Sequence, residues 1–101
     1  MLYEYEDMLF EWDPDKNESN IKKHGISFEE AASVFSDTDS VVIPDRKHSF
    51  NEERFIIIGF SDEDNLLTIC HCERQNAEIT RIISARKAEN IEKNLYRKGY
   101  Q

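Results

Sequence analysis

Glycine and proline are scarce in this chain, three and two among 101 residues, which leaves no room for a glycine-rich phosphate loop or a long flexible linker. No apolar run approaches the roughly 18 to 20 residues of a membrane-spanning helix, and the first ten residues carry three acids and no basic leader-like region, so the chain reads as cytoplasmic. Cysteine is nearly absent too. Cys70 and Cys72 would lie about 7 Å apart on one face of an extended segment, too far for an unstrained disulfide, which points to a reducing compartment. Positive charge is in the minority: 13 Lys and Arg against 21 Asp and Glu give a formal charge of −8. That balance disfavours unspecific binding to nucleic acid or anionic membrane, so a polyanion partner must meet a local basic patch.

The remaining sequence fits a single domain over residues 1–101. Met8 to Trp12 alternates large side chains and reads as a strand. Asp13 then caps a helix that Pro14 opens, and Lys22, Lys23, His24 and Gly25 close it. Ser27 to Glu30 forms a capping box in which Glu30 is expected to reach back to Ser27. Phe28, Ala31, Ala32 and Phe35 make one buried helical stripe. Val41 to Ile43 is a short strand halted by Pro44, and Asp45 to Glu53 is a polar loop. Arg54–Phe60, Leu66–Arg74 and Ile79–Ala85 follow as strands joined by hairpin turns, and Ala88, Ile91 and Leu95 mark one face of a closing helix. The class is α+β: a mainly antiparallel sheet of four to five strands covered by two N-terminal helices and one C-terminal helix.

Charge is uneven along this order. Residues 1–64 hold 6 basic and 17 acidic side chains, a balance of −11, whereas residues 65–101 hold 7 basic and 4 acidic, a balance of +3. The basic part contains Arg74, Arg81, Arg86, Lys87, Lys93, Arg97 and Lys98. An arginine in a strand can hold a phosphate through two parallel hydrogen bonds, or it can serve a cross-strand salt bridge. Strict alternation puts Arg81 and Arg86 on opposite faces unless a bend intervenes near Ala85. Of the histidines, His24 reads as a helix C-cap, His48 as a solvated loop residue, and His71 either as a proton-transfer group or as a cross-strand partner. Glu92 and Tyr96 are spaced to touch along the last helix. Cys70-His71-Cys72 is a poor zinc site, because adjacent strand residues face opposite ways.

Several strings occur together and in order: Phe10-Glu11-Trp12-Asp13-Pro14; Asn20 with Lys23-His24-Gly25-Ile26-Ser27-Phe28-Glu29-Glu30-Ala31; Glu53-Arg54-Phe55 with Ile58-Gly59; and Arg81-Ile82-Ile83-Ser84-Ala85-Arg86 before Ala88. Over about residues 10–96 the chain thereby resembles the BrnT toxins. The resemblance implies a RelE-like fold and a ribonuclease of a type II toxin–antitoxin system that blocks translation. It also implies a BrnA-type antitoxin as partner, contact with DNA only through that antitoxin, and a toxin–antitoxin heterotetramer. No cofactor, metal or membrane is expected.

The matching chemistry is attack of a ribose 2′-hydroxyl on the adjacent phosphate, for which the substrate brings its own nucleophile. Arg86 with Arg81 or Arg74 is expected to stabilise the phosphate, and Glu73 or His71 to move a proton. Arg54, Lys87, Lys93 and Arg97 are the expected RNA-binding residues. The rival expectation is a catalytically silent protein-binding module of the same fold, favoured if the arginines are scattered or consumed by salt bridges.

Overall fold

A computed structural model describes residues 2–99 and orders them as β1 Leu2–Tyr5, β2 Met8–Glu11, α1 Pro14–His24, α2 Phe28–Ser33, a 3-10 turn Val34–Ser36 and β3 Val41–Pro44. A second 3-10 turn Arg46–His48 follows, then β4 Arg54–Phe60, β5 Leu66–Arg74, β6 Ile79–Lys87 and α3 Asn90–Lys98. The strands form one sheet in the order β1-β2-β6-β5-β4-β3. The α+β class stands, but the sheet has six strands rather than four to five, and it is mixed: β2 runs parallel to β6 while the other neighbours are antiparallel.

The unexpected strand is β1. It joins β2 through Glu6 and Asp7, whose φ angles of 49° and 69° give the left-handed pair a tight hairpin needs. Glu-Asp is not a turn signature, so the hairpin has no local signal.

Local chemistry explains the first two helices. The Asp13 carboxylate accepts the Asp15 N–H at 2.9 Å, Pro14 follows, and Gly25 closes α1 at φ 74°. Ser27 Oγ accepts the Glu30 N–H at 3.0 Å and opens α2. The Glu30 side chain does not return to Ser27 as a capping box requires. It accepts from Ser61 Oγ at 2.6 Å and Asn65 Nδ2 at 2.8 Å, clamping α2 to the β4–β5 turn, a stronger use of a carboxylate than one exposed N–H.

Both helices lie on one face of the sheet. Phe28, Ala31 and Ala32 bury themselves against Phe10, Trp12, Ile57, Leu67, Ile69, Ile82 and Ala85. The third helix packs against the opposite face, where Tyr96 meets Phe60 edge-on at 5.4 Å, so the helices do not all cover one side. Ile91, expected in the buried face of α3, is 69% exposed, and no α3 residue is fully buried.

One irregularity positions the site. Cys70 pairs with Ser84 and His71 with Ile82, which leaves Ile83 as an extra residue in β6. Such a bulge shifts the alternation by one, so Ile82 and Ala85 both face the core and Arg81 and Arg86 both face away from it. The condition under which Arg81 and Arg86 share a face, an irregularity near Ala85, is therefore met two residues earlier, at Ile83. Asn20 fixes the strand just beyond it: its buried carboxamide donates to Ala85 O and Ile26 O, each at 2.8 Å, and accepts from Ala85 N at 3.2 Å.

Candidate active site

The face away from α1 and α2 presents Glu11 from β2, Arg81, Ser84 and Arg86 from β6, Thr68, Cys70, Cys72 and Arg74 from β5, and Arg54 and Ile56 from β4. It is flanked at one end of β4 by α3 and at the other by the loop after β3. Between them lies a cleft of about 360 Å³ lined by Asp45, Lys47, His48, Arg54, Ile56, Thr68, Cys70, Ile83, Ser84 and Arg86.

Arg86 has the most complete side-chain pairing of its cations. Its two terminal nitrogens donate to the two Glu92 oxygens at 2.8 and 2.7 Å, and Glu92 also accepts the Glu89 N–H at 2.8 Å. Hydrogen bonding to Glu92 raises the Arg86 pKa. Burial pushes Glu92 upward, but its bonds from Arg86 and the Glu89 backbone outweigh that and hold it below the usual carboxylate range. Glu92 and Tyr96, spaced to touch, have other partners: the Tyr96 hydroxyl donates to Asp37 at 2.7 Å.

The other strand arginines form a chain. Arg81 meets Glu11 at 2.9 Å, Arg74 lies 3.9 Å from Glu11 and 3.5 Å from Glu52, and Arg54 is 3.4 Å from Glu52. Three carboxylates thus serve four guanidinium groups. Arg54 Nε is buried and finds no hydrogen-bond partner among the described residues.

The structure brings Arg54, Arg74, Arg81 and Arg86 to one face, with Arg54 and Arg86 in the cleft itself. It separates the two expected proton-transfer residues from them. His71 faces the core, edge-on to Phe35 at 4.9 Å and tilted against Phe55 at 5.9 Å, and burial pushes its pKa down to about 4. Glu73 follows two residues later on that same side of β5, exposed and opposite Thr80. Lys87 ends β6, and Lys93 and Arg97 lie on the exposed side of α3, where Arg97 bonds Asn94 at 2.9 Å; none of the three lines the cleft.

Sequence reasoning passed over His48. Its Nδ1 lies 3.0 and 3.2 Å from the two Asp45 oxygens, and Asp45 is buried while the imidazole is 62% exposed. The loop holding this pair is braced internally: Asp45 N donates to Arg54 O at 2.9 Å, Ser49 Oγ to Asp45 O at 2.6 Å, and Arg54 N to Ser49 Oγ at 3.0 Å. Phe50, 93% exposed, shares a neighbouring hollow with His48, Glu52 and Arg54. The Asp45-x-x-His48 spacing was the available signal.

Both thiols on this face are free and protonated near neutrality. Burial and the nearby Asp45 raise Cys70 to about 11, and burial raises Cys72 as well. Among the described residues no group of three His, Cys, Asp or Glu side chains is placed to hold a metal ion, and no helix is long and apolar enough to cross a membrane.

Fold and face together define a small α+β protein with two helices packed on one side of a mixed sheet and a row of arginines on the other. A family model described as the ribonuclease toxin BrnT of type II toxin–antitoxin systems matches residues 12–92, and the chain belongs to that family. The 1.1 Å crystal structure of the Brucella abortus ribonuclease toxin BrnT superposes with a TM-score of 0.59 and 23% identity, covering 78% of this chain and 94% of that one. At that identity the likeness carries the fold. No curated protein matches the chain.

Proposed function

We propose that the chain is an endoribonuclease that cleaves RNA by metal-independent transesterification in the Arg54–Arg86 cleft. The observation that carries this reading is the convergence of Arg54, Arg86 and His48 on one cleft, with an exposed aromatic, Phe50, beside it. Guanidinium groups hold a phosphate and stabilise the charge of a pentacovalent transition state, and an exposed aromatic ring is a platform for an unstacked base. Arg81 and Arg74 extend the cationic face along the path of the strand. In the cell the toxin would be a RelE-like nuclease of the cytoplasm that cuts RNA to inhibit translation. A BrnA-type antitoxin would neutralise it in a heterotetramer and link it to DNA.

The test is incubation of the pure protein with RNA, with and without EDTA, beside an Arg86→Ala variant. EDTA-resistant cleavage leaving a 2′,3′-cyclic phosphate is expected, reduced on the order of 10²-fold in the variant. Unchanged cleavage by a folded Arg86→Ala would remove Arg86 from the site, and no cleavage by the wild type, even with ribosomes added, would overturn the reading.

One observation favours a second reading. Each of the four strand arginines already has a carboxylate partner. A silent module that keeps the fold for antitoxin binding needs no free guanidinium, and the same experiment separates it from the nuclease.

A further inference from the structure

The cleft contains the arginines that phosphoryl chemistry needs, but the two groups expected to move the proton lie on the wrong side of β5. We infer that His48, oriented by the buried Asp45 carboxylate, is the general base of the cleft; this rests on the nuclease reading above.

The argument is geometric and then chemical. Asp45 accepts the proton of His48 Nδ1, which leaves the lone pair on Nε2 of a ring that is exposed and lines the cleft. A carboxylate on one ring nitrogen fixes the tautomer and stabilises the cation formed when the other nitrogen takes a proton. The groups facing His48 are Asp45 and Lys47 on its own turn, Glu52 and Arg54 from the approach to and start of β4, Cys70 from β5 and Arg86 from β6. None of these rivals it as a base near neutrality. Lysine and arginine side chains present donors only, the Cys70 thiol stays protonated, Glu52 is tied to Arg54 and Arg74, and the Asp45 oxygens are engaged with His48. Imidazole is the side chain whose ordinary titration falls in that range.

In the step itself, Nε2 removes the 2′-hydroxyl proton and the 2′-oxygen forms a bond to phosphorus. The bond from phosphorus to the 5′-oxygen breaks, and that oxygen keeps the electron pair and takes a proton from water. The imidazolium returns its proton to the resulting hydroxide. The products are a 2′,3′-cyclic phosphate and a 5′-hydroxyl end.

Single-turnover cleavage of a short RNA by wild type, His48→Ala and Asp45→Asn, followed from about pH 5 to about pH 8, reads this out. His48→Ala should lose on the order of 10²-fold or more in rate. Its affinity for the same RNA with a 2′-deoxy cleavage site should stay within about threefold, because the base acts only in the transition state. The wild-type rate should rise with slope one on the acid side, that limb should vanish in His48→Ala, and added imidazole should restore part of the rate. Asp45→Asn should fall in rate while keeping the limb. An active His48→Ala, or an unchanged acid limb, would overturn the proposal while leaving the nuclease reading intact. Recovery of the His48→Ala rate with a 5′-bridging phosphorothiolate, whose sulfur leaves without a proton, would also overturn it by making His48 an acid. A wild type that does not cleave would take both readings down.

Discussion

Two histidines, one in a polar loop and one in a strand, end in environments opposite to the roles their sequence settings suggest. His71 sits in an apolar strand and its ring faces the core, with Nδ1 unpartnered among the described residues. Its folded pKa, about 4, is below the ordinary imidazole value, so the neutral ring contributes stability above about pH 6.5 that is lost as pH falls toward 4. A His71→Leu variant should therefore lose less thermal stability than wild type between about pH 7.5 and about pH 5, by up to a few kcal/mol. It should also cleave RNA at a rate within about threefold of wild type. Melting curves at the two pH values check the first statement, and a large loss of cleavage would return His71 to the site. Sequence reasoning favours His71 over His48 without regard to the side of β5 that His71 faces, and that side reverses the order. The arginines were readable as strand residues with a phosphate-binding shape, but their shared face was not. It depends on the one extra residue at Ile83, and a bulge between Ile82 and Ser84 has no signature in a run of β-formers.

At the scale of elements, legibility follows locality. The bounds of α1 were readable because its cap, its proline and its closing glycine all act within one turn of the helix. The strand ends of β4 and β5 were readable for the same reason, through the turn at Ser61–Asn65. The parallel contact of β2 with β6 joins Leu9 to Ile79 across most of the chain, with nothing local to announce it. Helix α3 is a third case: its amphipathic spacing suggested burial of Ile91, yet it is held mainly by polar tethers, Arg86 to Glu92 and Tyr96 to Asp37. Burial pushes Asp37 upward, but the N–H groups of Phe60 and Asp39 and the Tyr96 hydroxyl hold it below its ordinary value, and Glu92 is likewise depressed. Burial and Asp37 raise Tyr96 to about 12, so its hydroxyl remains a donor. Depressed carboxylates contribute stability that is full above the unfolded carboxylate range, near pH 4, and is lost as pH falls through their folded values. Amide exchange in α3 should accordingly accelerate below about pH 4 before exchange in β4 and β5 does. Simultaneous loss of protection in all three would show that the tethers do not set the docking of α3.

For the whole molecule, the formal charge of −8 conceals a division of labour. The chain is acidic to Asp64 and basic beyond it, yet the folded sheet interleaves the two parts, so Glu11 and Glu52 lie among the arginines. The acidic surplus that remains suits a basic partner, and membership of a type II toxin–antitoxin family implies an antitoxin protein as partner. Raising salt from about 0.05 to about 0.5 M should weaken association with the cognate antitoxin, chiefly by slowing its on-rate. Stopped-flow mixing at several salt concentrations measures this, and salt-independent rates would show that the acidic part is not the docking surface.

The carboxamide of Asn20 has a consequence for the molecule among its own copies. Strand β6 extends past the end of β2, and a bare strand edge there would offer a seat to a stray strand from another chain. Asn20 presents to Ala85 the donor and acceptor that a neighbouring peptide would present, so a single side chain stands in for a seventh strand and sheet growth finds that position closed.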